Sequence, residues 1–243
     1  MVNVLIIGAA GRIGSVTAQA CLERGHEVTA YVRSPSKLDP SIREKVRVVQ
    51  GNAKEKEILK SAMGGQDTVI QAAVYGSNTP WGKSDSEDVV RAVVEAAKEV
   101  TAASGKSPRL WVLSGQVLMD LPYHPGWIEG DAIPVHPEHY PNYKLLREEA
   151  QELDWSLMCP AKIDEGEPAG PIVHAVDVIP LWIAPGILGK LPFIGPTLNA
   201  IYNVAQQKLT YKSVGVFLAE HVGAEEELHH KRVCILEDWK RMQ

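Results

Sequence analysis

The sequence predicts an α/β protein built on a doubly wound parallel sheet, and two patterns support this fold class. Short runs rich in Val, Ile and Leu alternate with segments of helical periodicity through the first two-thirds of the 243 residues, as in successive βαβ units. The runs are almost continuously apolar, which is typical of strands that helices cover on both faces. The predicted strands are residues 2–7, 27–32, 46–50, 67–73, 109–114 and 155–159.

Helices are predicted between these strands because apolar residues recur there at helical spacing. Residues 116–141 contain five prolines and should form an ordered loop over the strand ends. After Pro160 the chain consists of apolar pieces separated by Pro and Gly, followed by a helix near 213–222 and a short strand near 233–235. The helices predicted in the first part are residues 12–24, 54–62, 85–103 and 141–153.

The composition is that of an ordinary globular protein, with 45% hydrophobic and 23% charged residues and a formal net charge of -5. The absence of a long basic run argues against a nucleic-acid surface, which needs clustered Lys and Arg. Three widely separated cysteines suggest neither a disulfide framework nor a metal knuckle, so we expect a reducing, cytoplasmic location. The apolar stretch 176–188 is interrupted by Asp177 and two prolines, and no membrane span is expected.

A glycine-rich turn directly follows the first predicted strand and opens the first predicted helix. Glycines permit a tight turn and let backbone N–H groups approach a pyrophosphate at the positive end of the helix dipole. The glycines are three residues apart throughout, unlike the commoner G-x-G-x-x-G spacing. We predict a dinucleotide-binding turn whose contact residues are Gly8, Ala10, Gly11, Arg12, Ile13 and Gly14.

The residues after the second strand indicate which dinucleotide is bound. An NAD-selective site would place Asp or Glu there to hold the ribose hydroxyls, but none occurs from Val28 to Leu38. Instead Arg33, Ser34 and Lys37 offer donors suited to a 2′-phosphate. NADP(H) is therefore favoured over NAD(H).

Ser114, Tyr140 and Lys144 are the candidate catalytic residues. Ser114 ends the fifth strand, and Lys144 lies one helical turn after Tyr140. A nearby ammonium lowers the pKa of a phenol, which can then protonate a carbonyl oxygen while a serine hydroxyl steadies that oxygen. Pro141 suggests that the helix begins there, which would leave Tyr140 at its cap.

Other chemistries find less support in the sequence. A serine hydrolase elbow would need Gly at the position of Val112. His136, Glu138 and His139 do not match a known metal motif, and neither does the cluster of Glu227, His229 and His230 near the end. We expect both clusters to be exposed polar residues, and no metal site.

The loops after the fourth and fifth strands could form an apolar, aromatic pocket for a small-molecule substrate, since open α/β sheets bind ligands at that edge. The alternative is that their side chains only close the loops onto the core. Residues 178–209 could be a lid, a dimer contact or a second small core, so both a monomer and a homodimer are compatible with the sequence. The candidate substrate-binding residues are Tyr75, Trp81, Met119, His124 and Trp127.

Several segments together carry a family resemblance. They are Gly8 to Gly14, Tyr31-Val32-Arg33-Ser34, Gly51-Asn52, Leu113-Ser114, Tyr143 to Glu148, and Leu153 to Pro160. In these segments the chain resembles atypical short-chain dehydrogenases/reductases of the NmrA-like group, and within it the small NAD(P)H-binding proteins related to biliverdin IXβ/flavin reductase. The likeness covers residues 1–163, thins over 164–209 and returns weakly at 213–222.

The resemblance implies a Rossmann-like fold with residues 1–163 as the NAD(P)-binding core. Residues 164–243 would form a substrate-side lid or subdomain with a closing helix and strand, within one structural domain. The implied nicotinamide site uses the glycine turn together with further contact residues. These are Arg33, Asn52, Ala72, Ala73, Lys144 and Pro160.

This sequence departs from the family pattern at three positions. Asn52 stands where an acidic residue is common, Cys159 where Arg often precedes the proline, and Lys162 is unusual after it. Two functions stay open: an NADPH-dependent oxidoreductase acting on an apolar, aromatic or carbonyl-bearing molecule, and a cofactor-binding regulator without turnover whose partner docks on 178–209. A third interpretation keeps the fold for a redox-neutral isomerisation or cyclisation.

Overall fold

The computed structural model describes residues 1–73, 84–223 and 225–242. Its described strands form one eight-stranded sheet in the order β3-β2-β1-β4-β5-β6-β8-β7, in which every pairing is parallel except that of β7 with β8. Helices flank the sheet, and the predicted α/β fold class is confirmed. The strands are β1 (Asn3–Ile7), β2 (Glu27–Val32), β3 (Arg47–Gln50), β4 (Thr68–Gln71), β5 (Arg109–Leu113), β6 (Trp155–Met158), β7 (Ile172–Val176) and β8 (Lys231–Glu237).

The helices predicted in the first part of the chain are confirmed, with ends that differ by a few residues. Within the described ranges, no helix is both long and apolar enough to cross a lipid bilayer. The α-helices are α1 (Arg12–Glu23), α2 (Pro40–Arg43), α3 (Lys56–Met63), α4 (Ser86–Ser104), α5 (Glu129–Ala132), α6 (His139–Glu149), α7 (Gly195–Val204) and α8 (Tyr211–Glu220).

The structure adds elements that the sequence pattern does not predict. The segment expected to be a loop contains α5, and the apolar pieces after Pro160 contain the edge strand β7 and the helix α7. The late helix is confirmed as α8, and the short strand near 233–235 is the middle of the longer β8. Because β8 pairs with β6, the C-terminal segment contributes two strands to the same sheet as the glycine turn.

The two central strands β4 and β5 are buried throughout, and α1 and α8 pack closely against each other beside the sheet. The close approach is possible because α8 has no side chain at Gly215. A Cβ atom there would lie 2.7 Å from the carbonyl carbon of Val16 and 3.0 Å from the amide of Thr17. Since α1 carries the glycine turn at its start, this contact helps to fix the position of that turn.

Replacing Gly215 with Ala should destabilise the protein. The added methyl group meets the backbone of α1, and overpacking of this kind costs about 1–3 kcal/mol. Alanine's better helix propensity offsets about 1 kcal/mol of that cost, which leaves a net loss of up to about 2 kcal/mol. Urea unfolding measures the change, with Gly223→Ala as control because nothing lies within 4 Å of a Cβ there. Equal stability of the two variants would contradict the packing argument.

Candidate functional site

A cavity of about 540 Å³ opens at the carboxyl ends of β1, β2, β3 and β4. Parallel strands converge on this edge, which is where doubly wound sheets bind nucleotides. Nine of the residues predicted to bind the cofactor line the cavity: Gly8, Ala10, Gly11, Arg33, Ser34, Lys37, Asn52, Ala72 and Ala73. The structure thus brings together in one cavity residues that four different segments of the chain contribute.

The glycine turn lies so close to the sheet that side chains would not fit. Gly8 has a φ of +87°, and a Cβ there would lie 2.9 Å from the amide nitrogen of Ala73. A Cβ on Gly14 would lie 2.8 Å from the Cα of Ala9. The turn is held by hydrogen bonds from the Gly8 amide to the Tyr31 carbonyl (2.9 Å) and from the Gly11 amide to the Gly8 carbonyl (2.8 Å).

Gly11 caps α1 without a side-chain hydrogen bond, and the first turn of α1 contains no acidic residue. The first amide groups of a helix carry a partial positive charge and have no partner within the helix. The turn can therefore receive a phosphate group, and the closely packed backbone at Gly8 fits the approach of a dinucleotide.

A basic rim closes the cavity on the side of β2. Arg33, Ser34 and Lys37 follow β2, and Lys54 lies opposite them after β3. The Lys54 ammonium lies 2.9 Å from a carboxylate oxygen of Asp85. This ion pair, with a smaller contribution from Arg33, lowers the pKa of Asp85. Among the described residues, three cations and one carboxylate therefore border the cavity, an excess of positive charge that suits a phosphate.

Sequence reasoning missed Lys54 and Asp85. Lys54 follows Gly51-Asn52 by two residues, so the turn after β3 could have indicated a second basic group. Asp85 enters only because α4 begins next to the cavity. Its contact with Lys54 follows from the packing of α3 against α4 and could not be read from local spacing.

Arg12, Ile13 and Gly14 belong to the same turn but do not line the cavity walls. The Arg12 guanidinium lies over the ring of Tyr211, 4.9 Å from its centre, and 4.0 Å from Glu165. The side chain of Arg12 thus contacts the C-terminal segment. Its backbone amide remains in the first turn of α1, where a phosphate would bind.

Ser114 directly follows β5, which places it two strands away from the glycine turn in the sheet order. It is 8% exposed, and its hydroxyl oxygen is buried beside the thiol of Cys159, which directly follows β6. Burial raises the pKa of Cys159 to about 12, so this thiol is protonated and unreactive at neutral pH. A ligand would reach the Ser114 hydroxyl only if neighbouring residues moved.

Tyr140 lies in the first turn of α6, because that helix begins at His139 rather than at Pro141 as the sequence suggested. Tyr140 and Lys144 are thus one turn apart on a single helix. The Tyr140 hydroxyl, however, packs over Gly130 in α5. Burial, followed by the charges of Asp131 and Glu129, raises the pKa of this phenol. A proton-donating tyrosine beside a lysine would have a lowered pKa, so the environment of Tyr140 differs from the predicted one.

The cluster of His136, Glu138 and His139 is not an exposed polar group, contrary to expectation. Glu138 and His139 are 8% and 4% exposed. One Glu138 carboxylate oxygen lies 3.5 Å from His136 Nδ1 and 4.0 Å from His139 Nε2. Burial lowers the pKa of His139 to about 4, so the ring is neutral at pH 7. His139 packs against Gly115, where a Cβ would lie 2.7 Å from its ring.

In the second histidine cluster, near the end of the chain, only His230 packs against the core. The ring of His230 stacks on Trp155 at 4.8 Å, and its Nε2 lies 2.8 Å from the Leu153 carbonyl. Glu227 and His229 are exposed, as predicted, and His229 Nδ1 lies 3.0 Å from a carboxylate oxygen of Asp154.

The three predicted substrate-binding residues that fall within the described ranges do not form one wall. Tyr75 and Trp81 lie outside the described residues. Met119 has no exposed surface and packs in the core, so a contact between it and a substrate would require the loop to move. His124 Nε2 lies 3.2 Å from the Asn199 side-chain oxygen, and Trp127 is half-buried against the core.

Glu129 is a buried carboxyl group that sequence reasoning missed. It is 6% exposed, and the Gln116 amide donates to it at 3.3 Å. Burial raises the pKa of Glu129 to about 7, whereas an unfolded glutamate has a pKa of about 4.3. Ionised Glu129 is therefore unfavourable in the folded protein.

Glu129 should make the protein less stable as the pH rises from about 4.5 to about 7, since the folded state binds a proton that the unfolded state has released. Glu129→Gln removes this dependence. When the pH is raised from 5 to 8, the free energy of unfolding of the variant should increase relative to that of the wild type by up to about 3 kcal/mol. Urea unfolding at both pH values tests this, with the exposed Glu148→Gln as control. The same pH dependence in both variants would rule out the role of Glu129.

Comparison with known proteins agrees with this geometry. The sequence profile of the NAD(P)H-binding family matches residues 8–178. One similar solved structure is a short-chain dehydrogenase/reductase (wide type) of Veillonella parvula DSM 2008 in complex with NADP. It has a TM-score of 0.66 at 16% identity, and the match covers 97% of this chain and 94% of that one.

Two further structures are similar over almost the whole chain. A proposed NADH-flavin reductase of Streptococcus pneumoniae TIGR4 has a TM-score of 0.65 at 21% identity and covers 98% of this chain and 100% of its own. A proposed epimerase of Bacteroides thetaiotaomicron has a TM-score of 0.67 at 21% identity, with 98% of each chain covered. These likenesses show the Rossmann fold, and the profile match over most of the chain shows that the protein belongs to the NAD(P)H-binding family.

Proposed function

We propose that the protein is an NADPH-dependent oxidoreductase that reduces an apolar, aromatic or carbonyl-bearing small molecule. The observation that carries this proposal is the single cavity that joins the glycine turn to the basic rim of Arg33, Ser34 and Lys37. The turn fits a pyrophosphate, and the rim fits the 2′-phosphate that distinguishes NADP from NAD.

Each part of the site has a defined task in this proposal. When bound, NADPH supplies the hydride. The backbone amides at Gly11 to Ile13 bind the pyrophosphate, and Arg33 holds the 2′-phosphate. Lys144 holds the nicotinamide ribose, and the hydroxyl of Ser114 donates a hydrogen bond to the substrate oxygen as negative charge develops there.

Three finer expectations belong to the same proposal. They are selectivity for NADP(H), membership of the NmrA-like group, and a cytoplasmic location. The excess of positive charge at the rim supports the first, and the segment from Tyr143 to Pro160 supports the second. The third rests on the wide spacing of the cysteines along the sequence.

A regulator that binds the cofactor without turnover is the second candidate, and the environment of Tyr140 favours it. Its hydroxyl packs over Gly130 and its pKa is raised, which makes it a poor proton donor. In this alternative the cofactor site is unchanged, but no group near Ser114 delivers a proton. Both candidate functions therefore predict NADPH binding, but only the oxidoreductase predicts NADPH oxidation.

Arg33→Ala should weaken NADPH binding by about tenfold or more and leave NADH binding almost unchanged, because one charge-assisted hydrogen-bond pair to the phosphate is lost. Titration calorimetry with both nucleotides measures the two affinities. Arg47→Ala is the matched control, since Arg47 begins β3 at the opposite edge of the sheet. An equal loss for NADPH and NADH would place Arg33 outside the phosphate site.

Lys144→Ala should lower the rate of NADPH oxidation by about a hundredfold or more with any quinone, flavin or ketone that the wild type reduces, because the ribose is no longer held in place. Lys45→Ala, at an exposed position in the turn before β3, serves as control. Retained turnover would refute the assignment of Lys144. Tight NADPH binding by the wild type without turnover across that panel would support the regulator instead.

A further inference from the structure

One segment of the protein exposes an unusual amount of apolar surface. Of the thirteen large hydrophobic side chains that are exposed in the described ranges, nine lie within residues 181–202, which we call the apolar patch. Ile187 and Phe193 are 88% and 86% exposed, and Leu188 is 66% exposed. Single exposed hydrophobic residues are common, but a contiguous group of this size marks a surface that another apolar phase or partner covers.

Helix α7 has the reverse of the usual amphipathic pattern. Its buried positions include the polar residues Asn199 and Asn203, whereas Leu198, Ile201 and Tyr202 face outward with 40%, 55% and 54% of their surface exposed. A helix on a water-exposed surface normally turns its apolar face to the core. The orientation of α7 is therefore favourable only where its outer face meets an apolar medium.

The patch is held in this orientation by buried hydrogen bonds. The Trp182 indole donates to the Asn199 side-chain oxygen at 2.8 Å, and the Ile183 amide donates to that of Asn203 at 2.6 Å. Phe193 has a φ of +64°, a conformation that is unfavourable for a bulky residue. The apolar side chains are thus presented outward by a fixed framework.

The charge of this segment identifies its partner. Residues 178–210 contain no Asp or Glu and two Lys, in a chain whose net charge is -5. Lys190 lies between Ile187 and Phe193, and no ion pair joins it to any described residue. A second copy that met this one through the patch would offer this lysine no acidic partner from residues 178–210. On an anionic lipid surface, the apolar side chains enter the interface while the ammonium extends to the phosphates.

We propose that the apolar patch docks the protein onto the surface of an anionic lipid bilayer. Ile187, Leu188 and Phe193 insert at the level of the headgroups, and Lys190 binds lipid phosphates. The docking is peripheral and independent of the cofactor cavity, which opens at the ends of β1 to β4.

Flotation of the full-length protein with vesicles tests this proposal. Vesicles of phosphatidylcholine and phosphatidylglycerol should bind the protein, and pure phosphatidylcholine vesicles should bind it more weakly. The double variant Ile187→Ser, Phe193→Ser should lose more than about tenfold in affinity. Ile58→Ser, which removes an exposed isoleucine from α3, should bind like the wild type.

Lys190→Gln separates charge from apolar contact. It should weaken binding to the anionic vesicles by about fivefold, because one basic residue near such a surface contributes about 1 kcal/mol, and it should leave binding to neutral vesicles unchanged. Thermal unfolding confirms that the variants are folded. No binding to either vesicle, or binding that the double variant retains, would overturn the proposal. Self-association that the double variant abolishes in sedimentation, without vesicle binding, would assign the patch to a second copy of the chain.

Discussion

The rest of the structure depends on close contact between backbone segments at three glycines. These contacts are possible only because glycine has no side chain. Gly8 lies against the backbone after β4, Gly14 lies against the turn itself, and Gly215 lets α8 approach α1. A Cβ at any of these positions would meet backbone atoms, which cannot rotate away as a side chain can. The turn is thereby fixed between the sheet and α8, so the first amides of α1 are presented at the sheet edge before any ligand binds. Such preorganisation lowers the cost of ordering the site when a nucleotide binds.

The positive charge that borders the cavity is partly offset by one carboxylate. Lys54 pairs with Asp85, which keeps this carboxylate ionised and partly neutralises the rim. An acidic group that accepted hydrogen bonds from ribose hydroxyls would have to follow β2, but Asp85 enters from α4 and is occupied by Lys54. Under the proposed function, Arg33 and Lys37 are therefore the groups that would meet the substituent on the ribose. This local excess of positive charge explains how a chain with a net charge of -5 can offer an anion site.

The central part of the fold could be predicted because its strands are buried on both faces, which leaves continuous apolar runs such as Val4 to Ile7. The edge strand β7 carries the exposed His174 and is only half-buried, so its pattern is too weak to predict. Helix α7 was missed because Gly195 and Pro196 at its start have the pattern of a chain break. For the site, the glycine turn and Arg33 are local in sequence. The buried state of His139 depends on its packing against Gly115, and the contact of Tyr140 with Gly130 joins two helices, so neither follows from local spacing.

The apolar patch and the edge that carries Ser114 are connected through hydrogen bonds. Asn199 of α7 accepts from the Trp182 indole and contacts the His124 imidazole, and His124 lies in the loop that begins directly after Ser114 and Gly115. A lipid surface that held α7 would therefore also restrain this loop through His124. An apolar substrate dissolved in a bilayer would meet the protein at the face where this restraint acts. The side-chain amide of Asn199 thus joins the apolar patch to the loop after Ser114. Loss of this amide would break the connection and leave the glycine turn in place.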